Sequence, residues 1–173
     1  MKQDSRGFTL IELTITIILM GFVLSLTLPR IRDGLLTDDF KSASRRMITV
    51  ISDLRNRAVS EYRDFTLVFD LESGKYWVEA GDMTEIELLD ARDRTSVLPE
   101  SVELKGILFL NGDEITTGMA GIRFTRKGYI QPSMIHMGAK DGRKFTFILS
   151  PFLGKVQIVE DYLDFEDMPN SRY

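Results

Sequence analysis

The feature that most constrains this chain is an unbroken apolar run from Phe8 to Leu28 that holds a single charge, Glu12. At a helical rise of ~1.5 Å per residue the run spans ~30 Å, the thickness of a bilayer's hydrocarbon core. A carboxylate inside such a segment is costly unless it meets a partner, so Glu12 is a functional candidate from the outset. A short polar leader carrying Lys2, Asp4 and Arg6 precedes the run and ends in Gly7. This order is the reverse of a cleavable secretory signal, where an apolar stretch of ~7–15 residues comes before the small-residue site. The apolar part is therefore expected to survive processing.

The rest of the chain has the makings of one globular domain. Its 173 residues are 43% hydrophobic and 28% charged, values of a folded rather than a disordered chain. Formal net charge is −4. Loss of Lys2, Arg6 and Asp4 with residues 1–7 removes a net +1 (two cations less one acid), leaving −5. That balance argues against general nucleic-acid binding, whose footprint is basic. The chain has no cysteine, which removes disulfides, thiol catalysis and cysteine-ligated zinc.

After Pro29 the spacing turns amphipathic. Ile31, Leu35, Leu36, Phe40, Ala43, Met47, Ile51 (or Val50), Leu54, Ala58 and Tyr62 form an apolar stripe at helical steps, with charges such as Lys41, Arg45, Arg46 and Asp53 opposite. A long helix from about Phe8 to Arg63 is predicted, bent at Pro29. From Phe65 the period becomes two: Phe65, Leu67, Phe69 and Leu71 read as one face of a strand that turns at Glu72–Lys75 into a second. The charged segment 81–99 lacks periodicity and reads mostly as a loop. Strands are expected at Val102–Leu110, Gly121–Thr125, Tyr129–Gln131, Ile135–Met137, Lys144–Leu149 and Lys155–Val159, with turns at Asn111-Gly112, Asp141-Gly142 and Pro151–Gly154. Short strands with frequent turns suggest antiparallel sheets folded against one helix.

Few residues outside the N-terminus carry a chemical signal. His136 is the only histidine. No nucleophile motif surrounds it, so it reads as structural rather than catalytic. The acidic stretch Glu160–Asp167 lacks calcium-loop spacing and reads as a solvated tail. Arg123, Arg126 and Lys127 would join Lys140, Arg143 and Lys144 in one basic patch if their strands were neighbours. A solvated sheet face is the preferred reading there, and DNA contact the alternative. Phe124, Phe145 and Phe147 alternate with polar positions, as core residues do. No catalytic, metal-binding or cofactor-binding residue is assigned.

The segment Arg6-Gly7-Phe8-Thr9-Leu10-Ile11-Glu12-Leu13 resembles the N-terminus of type IV prepilins and of the related type II secretion pseudopilins. The resemblance implies that Gly7 precedes the prepilin-peptidase cut, that Phe8 becomes the N-methylated first residue, and that Pro29 bends the helix. Glu12 would then pair with the α-amine freed at Phe8 of a neighbouring subunit. Thr9, Thr14, Thr16, Gly21 and Ser25 are either ordinary helix residues or points of close helix approach. In the C-terminal half, Gly121–Tyr129, Phe145–Leu149 and Gly154–Ile158 resemble the H-type minor pseudopilins.

These resemblances imply an α+β, pilin-like fold: a leader at 1–7, a transmembrane segment at 8–28, an amphipathic helix at 29–63, an antiparallel β domain at 64–160 and an acidic tail at 161–173. They imply a non-enzymatic minor pseudopilin of a type II secretion system, with no cofactor. Its expected partners are other pseudopilins or pilins, the prepilin peptidase and methyltransferase, and the bacterial inner membrane, with no nucleic acid. The β domain would lie in the periplasm, although Arg30, Arg32, Lys41, Arg45 and Arg46 after the span, against Lys2 and Arg6 before it, favour the opposite orientation. A minor type IV pilin for pilus priming, adhesion or DNA uptake is the alternative. A signal-anchored domain outside any filament is a third reading.

Overall fold

The computed structural model describes residues 10–151 and 156–165, with side chains described outside 24–38. One helix, α1 (Leu10–Ser60), is followed by β1 (Phe65–Asp70), β2 (Lys75–Ala80), α2 (Glu85–Asp93), β3 (Ser96–Val97), β4 (Val102–Phe109), β5 (Glu114–Ile115), β6 (Met119–Phe124), β7 (Ser133–Ala139), β8 (Lys144–Leu149) and β9 (Val156–Glu160). The strands form two antiparallel sheets, ordered β3-β2-β1-β6 and β5-β4-β7-β8-β9. The fold class is α+β, as expected.

The C-terminal half of α1 carries the apolar stripe, and Phe40, Ala43, Met47, Ile51, Leu54 and Ala58 are all buried. They join the inner faces of both sheets in one core, with Phe65, Leu67 and Phe69 from β1 and Ile122 and Phe124 from β6. From the other sheet come Ile135, Met137, Phe145 and Phe147. The Phe40 ring stacks on Phe145 with centroids 3.7 Å apart. The helix ends three residues before the expected Arg63. Arg63 N–H donates to the Ala58 carbonyl and Tyr62 N–H to the Val59 carbonyl, the double closure of a Schellman cap. Tyr62 holds the left-handed position at φ 52, where glycine is usual.

The β4 strand shows how local pattern and register interlock. Its buried inner residues fall at even positions, Val102 and Leu104, and then at odd ones, Ile107 and Phe109. The phase switches because the pairing with β7 shifts between Leu104 and Gly106, leaving Lys105 as the extra residue of a bulge. A one-residue insertion is what swaps a strand's faces.

Three expectations need correction. The 81–99 segment contains α2 and β3 rather than a plain loop. Thr84 caps α2: its hydroxyl accepts from Glu87 N–H while the Glu87 carboxylate accepts from Thr84 N–H. That reciprocal pair stabilises a short helix that buries no residue of its own. Next, Tyr129–Gln131 makes only an isolated bridge, Phe124↔Ile130, because Gly128 at φ 80 turns the chain too tightly for a strand. Finally, the acidic C-terminus is not a solvated tail over 161–165. Leu163 and Phe165 pack against Leu108, Met134 and Ile148 on the outer face of the second sheet. This second cover buries β7 on both sides.

Candidate functional site

The N-terminal part of α1 stands apart from the packed body. Every described side chain from Leu10 to Val23 is exposed, Leu10 at 84% and Ile18 at 66%. Large apolar side chains left exposed in an unbroken series mark a surface that something else covers. A Cβ built on Gly21 would meet no atom within 4 Å. Among the described residues no helix is long and apolar enough to cross a membrane, and the described side chains of the apolar run stop at Val23.

Glu12 lies in the first turn of α1 and is exposed. The Thr14 hydroxyl donates to the Leu10 carbonyl at 2.8 Å and the Thr16 hydroxyl to the Glu12 carbonyl at 2.6 Å. Both hydroxyls are thus satisfied within their own helix, and packing against this face leaves neither one stranded. Gly7, Phe8 and Thr9 lie outside the described residues, as do the side chains of Ser25 and Pro29. The backbone of α1 continues through Pro29.

His136 is buried on the outer face of β7, where both ring nitrogens meet oxygen: Nδ1 lies 3.3 Å from Glu114 Oε1, and Nε2 lies 3.1 Å from the Leu163 carbonyl. The Tyr162 ring stacks on the imidazole at 4.9 Å. Burial raises the Tyr162 hydroxyl above its ordinary value, so it stays neutral. The Thr146 hydroxyl donates to the Asp161 carbonyl at 2.7 Å and accepts from Leu163 N–H at 3.2 Å. The cluster fastens the C-terminal segment to the sheet. Sequence spacing did not reveal it, because its members are brought together only by the sheet.

The two basic clusters belong to different sheets. Arg123 is on β6 of the first and Lys144 on β8 of the second. Arg126 lies 3.5 Å from Asp64, and Arg143 lies 2.6 Å from Asp141. Phe124, Phe145 and Phe147 are buried in the core, as their spacing predicts.

A cleft of about 460 Å³ opens between α1, β2 and α2, lined by Val50, Arg57, Tyr76, Val78, Met83 and Arg94 among others. Its charges are committed to local partners, Arg57 to Glu61 at 3.0 Å and Arg94 to Asp90 at 3.1 Å. Among the described residues no three metal-ligating side chains converge.

Residues 2–28 match the prokaryotic N-terminal methylation motif. Over 151 residues the chain is 28% identical to the type II secretion system protein H of Pseudomonas aeruginosa, covering 87% of this chain and 81% of that protein. The crystal structure of the minor pseudopilin EpsH from the type II secretion system of Vibrio cholerae aligns at a TM-score of 0.51 and 13% identity, covering 73% of this chain and 98% of that one. A second structure of the same minor pseudopilin aligns at 0.46 and 12% identity, covering 69% and 95%. The better alignment shows a common fold. The chain thus carries the N-terminal methylation motif over residues 2–28, is similar along most of its length to a type II secretion system protein H, and shares its fold with the minor pseudopilin EpsH.

Proposed function

We propose that this protein is a minor subunit of a periplasmic pseudopilus that serves the export of folded proteins. Its apolar helix rests in the inner membrane until assembly buries it against the helices of other subunits. One observation carries the reading: from Leu10 to Val23 the helix presents apolar side chains that its own body leaves uncovered. In water each such Leu or Ile left uncovered costs roughly 1.5–3 kcal/mol, which keeps the arm in lipid or against neighbouring helices. In the finished filament the body of α1 and the two sheets face outward, and no step calls for a catalytic residue.

On this reading the prepilin peptidase cuts after Gly7, which offers its active site a backbone without a side chain. The amine released on Phe8 is methylated. Glu12 of one subunit then meets the Phe8 amine of another in a low-dielectric surround, where opposite charges attract far more strongly than in water. Leaving either charge unpaired there is heavily penalised, so the pair sets the axial register of the packed helices. Pro29, by removing a backbone donor, bends the helix between its membrane and globular parts.

Mass spectrometry of the mature chain tests the first step. The expected product begins at Phe8 and is one methyl group heavier than the bare peptide chain. Retention of residues 1–7 in a host with active processing machinery would overturn the proposal. Glu12→Ala tests the second step: the expected outcome is loss of filament incorporation with the unfolding transition of the body unchanged.

A further inference from the structure

Both sheets have edges, and the chain treats them unequally. On β2 the two-residue β3 and then α2 cover the edge. The Trp77 indole there donates to Glu79 Oε1 at 2.8 Å, and the Arg92 guanidinium lies 5.8 Å from the indole ring. On β6 the chain folds back, so that Gln131 N–H donates to the Arg123 carbonyl and the Gln131 side-chain oxygen accepts from Arg123 N–H. On β4 the part not paired with β5 carries the bulge and the ion pair between Lys105 and Glu103. Bulges, charges and covering segments are the usual ways to keep an edge from pairing with another chain.

Among the described residues the edge at β9 carries no bulge and no covering strand or helix, and its one charge, Glu160, stands at the end of the strand. Its first four residues, Val156-Gln157-Ile158-Val159, are uncharged, and three of them are β-branched, a composition that favours strand pairing. The register fixes which main-chain groups face outward. Asp161 N–H donates to the Lys144 carbonyl, so Val159 and Gln157, opposite Thr146 and Ile148, also bond to β8. Val156, Ile158 and Glu160 therefore direct their N–H and C=O groups away from the sheet. Asp161, at φ 110, then turns the chain onto the sheet's outer face and away from this edge.

We infer that the open edge of β9 is a docking site for an extended strand of a different filament subunit, which adds to the second sheet through main-chain hydrogen bonds. This rests on the proposed function. A second copy paired antiparallel through its own β9 is the wrong occupant. Antiparallel β9–β9 pairing requires a two-fold axis normal to the sheet, and α1 lies against that sheet's inner face. The axis would turn one α1 end for end and send the two apolar arms in opposite directions, whereas subunits drawn from one membrane carry them in parallel. A strand from a non-identical neighbour meets no such conflict, and unpaired edge groups recognise any extended backbone.

Proline at position 158 tests this, because it deletes one outward N–H and leaves the ladder to β8 intact. Full-length wild-type protein, Ile158→Pro and Ile158→Thr are each expressed with the other pseudopilins of the same secretion system. After cross-linking, hetero-subunit adducts and entry into filaments are quantified, alongside leader removal and the thermal unfolding of each purified chain. Ile158→Pro is expected to fold and be processed normally and to lose adducts roughly tenfold, the scale of one main-chain hydrogen bond. Ile158→Thr keeps the N–H and should behave as wild type. Equal adducts from Ile158→Pro and wild type overturn the inference, as does an equal loss in Ile158→Thr, which would mean recognition by the side chain. Misfolding of Ile158→Pro overturns it too, since the outward N–H is then not free of the fold. Failure of the wild type itself to be processed or to enter filaments counts against the proposed function instead.

Discussion

The imidazole of His136 lies 3.1 Å from the carbonyl oxygen of Leu163, a residue 27 positions later, and that contact closes a segment over the outer face of the second sheet. A carbonyl only accepts, so Nε2 carries the proton in this bond. His136→Phe retains a ring to stack on Tyr162 but removes both hydrogen bonds. The expected loss is about 1–2 kcal/mol, expressed as detachment of 161–165. Limited proteolysis should cut the variant within that segment at least several times faster than wild type, and unchanged cutting would refute the fastening role.

Thr84 and Glu87 cap the start of α2 reciprocally. Thr84→Ala breaks the capping box and should cost about 1 kcal/mol of local helix stability. Since α2 buries no residue of its own, the global unfolding midpoint should barely move. Hydrogen exchange across 85–93 should accelerate while β1 and β7 stay protected.

Asp70 organises the turn between β1 and β2, accepting from the Ser73 hydroxyl at 2.6 Å and from the Glu72 and Ser73 amides. The Ser73 hydroxyl bond holds its carboxyl below the usual value, outweighing partial desolvation. A carboxyl lowered on folding stabilises the fold above its unfolded value of ~3.9, and that stability fades as pH falls through the folded value. Asp70→Ala should therefore cost up to about 1 kcal/mol near neutral pH. In urea unfolding, the gap from wild type should narrow as the pH is lowered toward 3. A constant gap would show that the carboxylate's charge plays no part.

Tyr62 occupies a left-handed position, a conformation that costs a side chain about 1–2 kcal/mol, and it has the Arg126 guanidinium 5.6 Å from its ring. Tyr62→Gly relieves the strain and loses the ring contact, so its stability should lie within about 1 kcal/mol of wild type. Tyr62→Ile loses the contact and keeps a β-branched side chain at positive φ. It should be the less stable of the two by about 1–2 kcal/mol in thermal unfolding.

Met47 and Ile51 are buried on the face of α1 that meets both sheets. Met47→Ala should cost about 2–5 kcal/mol, measured by denaturant unfolding. Ile17→Ala, on the exposed arm, should leave the same transition unchanged, which separates the face used for folding from the one left for assembly.

Periodicity was informative where one neighbour dictates burial. The α1 stripe from Phe40 to Ala58 and the alternation in β1 and β8 could be read directly, because a helix or strand buried on one face must repeat with its own geometry. Asn111-Gly112 and Asp141-Gly142 were legible as turns for the same local reason, and their glycines sit at φ 85 and 91. The helix α2 was legible too, in Thr84-x-x-Glu87, but the apolar pattern was too weak to draw attention to the cap. The covered outer face of β7 was not, since nothing in Ser133–Ala139 states that Leu163 and Phe165 will return to it.

By itself the sequence determined that the chain begins with an apolar, acid-bearing segment suited to lipid or to other helices, and that a two-faced helix and alternating strands follow. Those are properties of adjacent residues, set by spacing and by the free energy of transferring side chains from water. Only the tertiary structure decided that the strands divide into two sheets, that the basic clusters fall on separate sheets, and that residues 161–165 lie against β7 while, among the described residues, the β9 edge stays open. Such outcomes depend on contacts between residues far apart in the chain, whose burial is settled jointly rather than by any one segment.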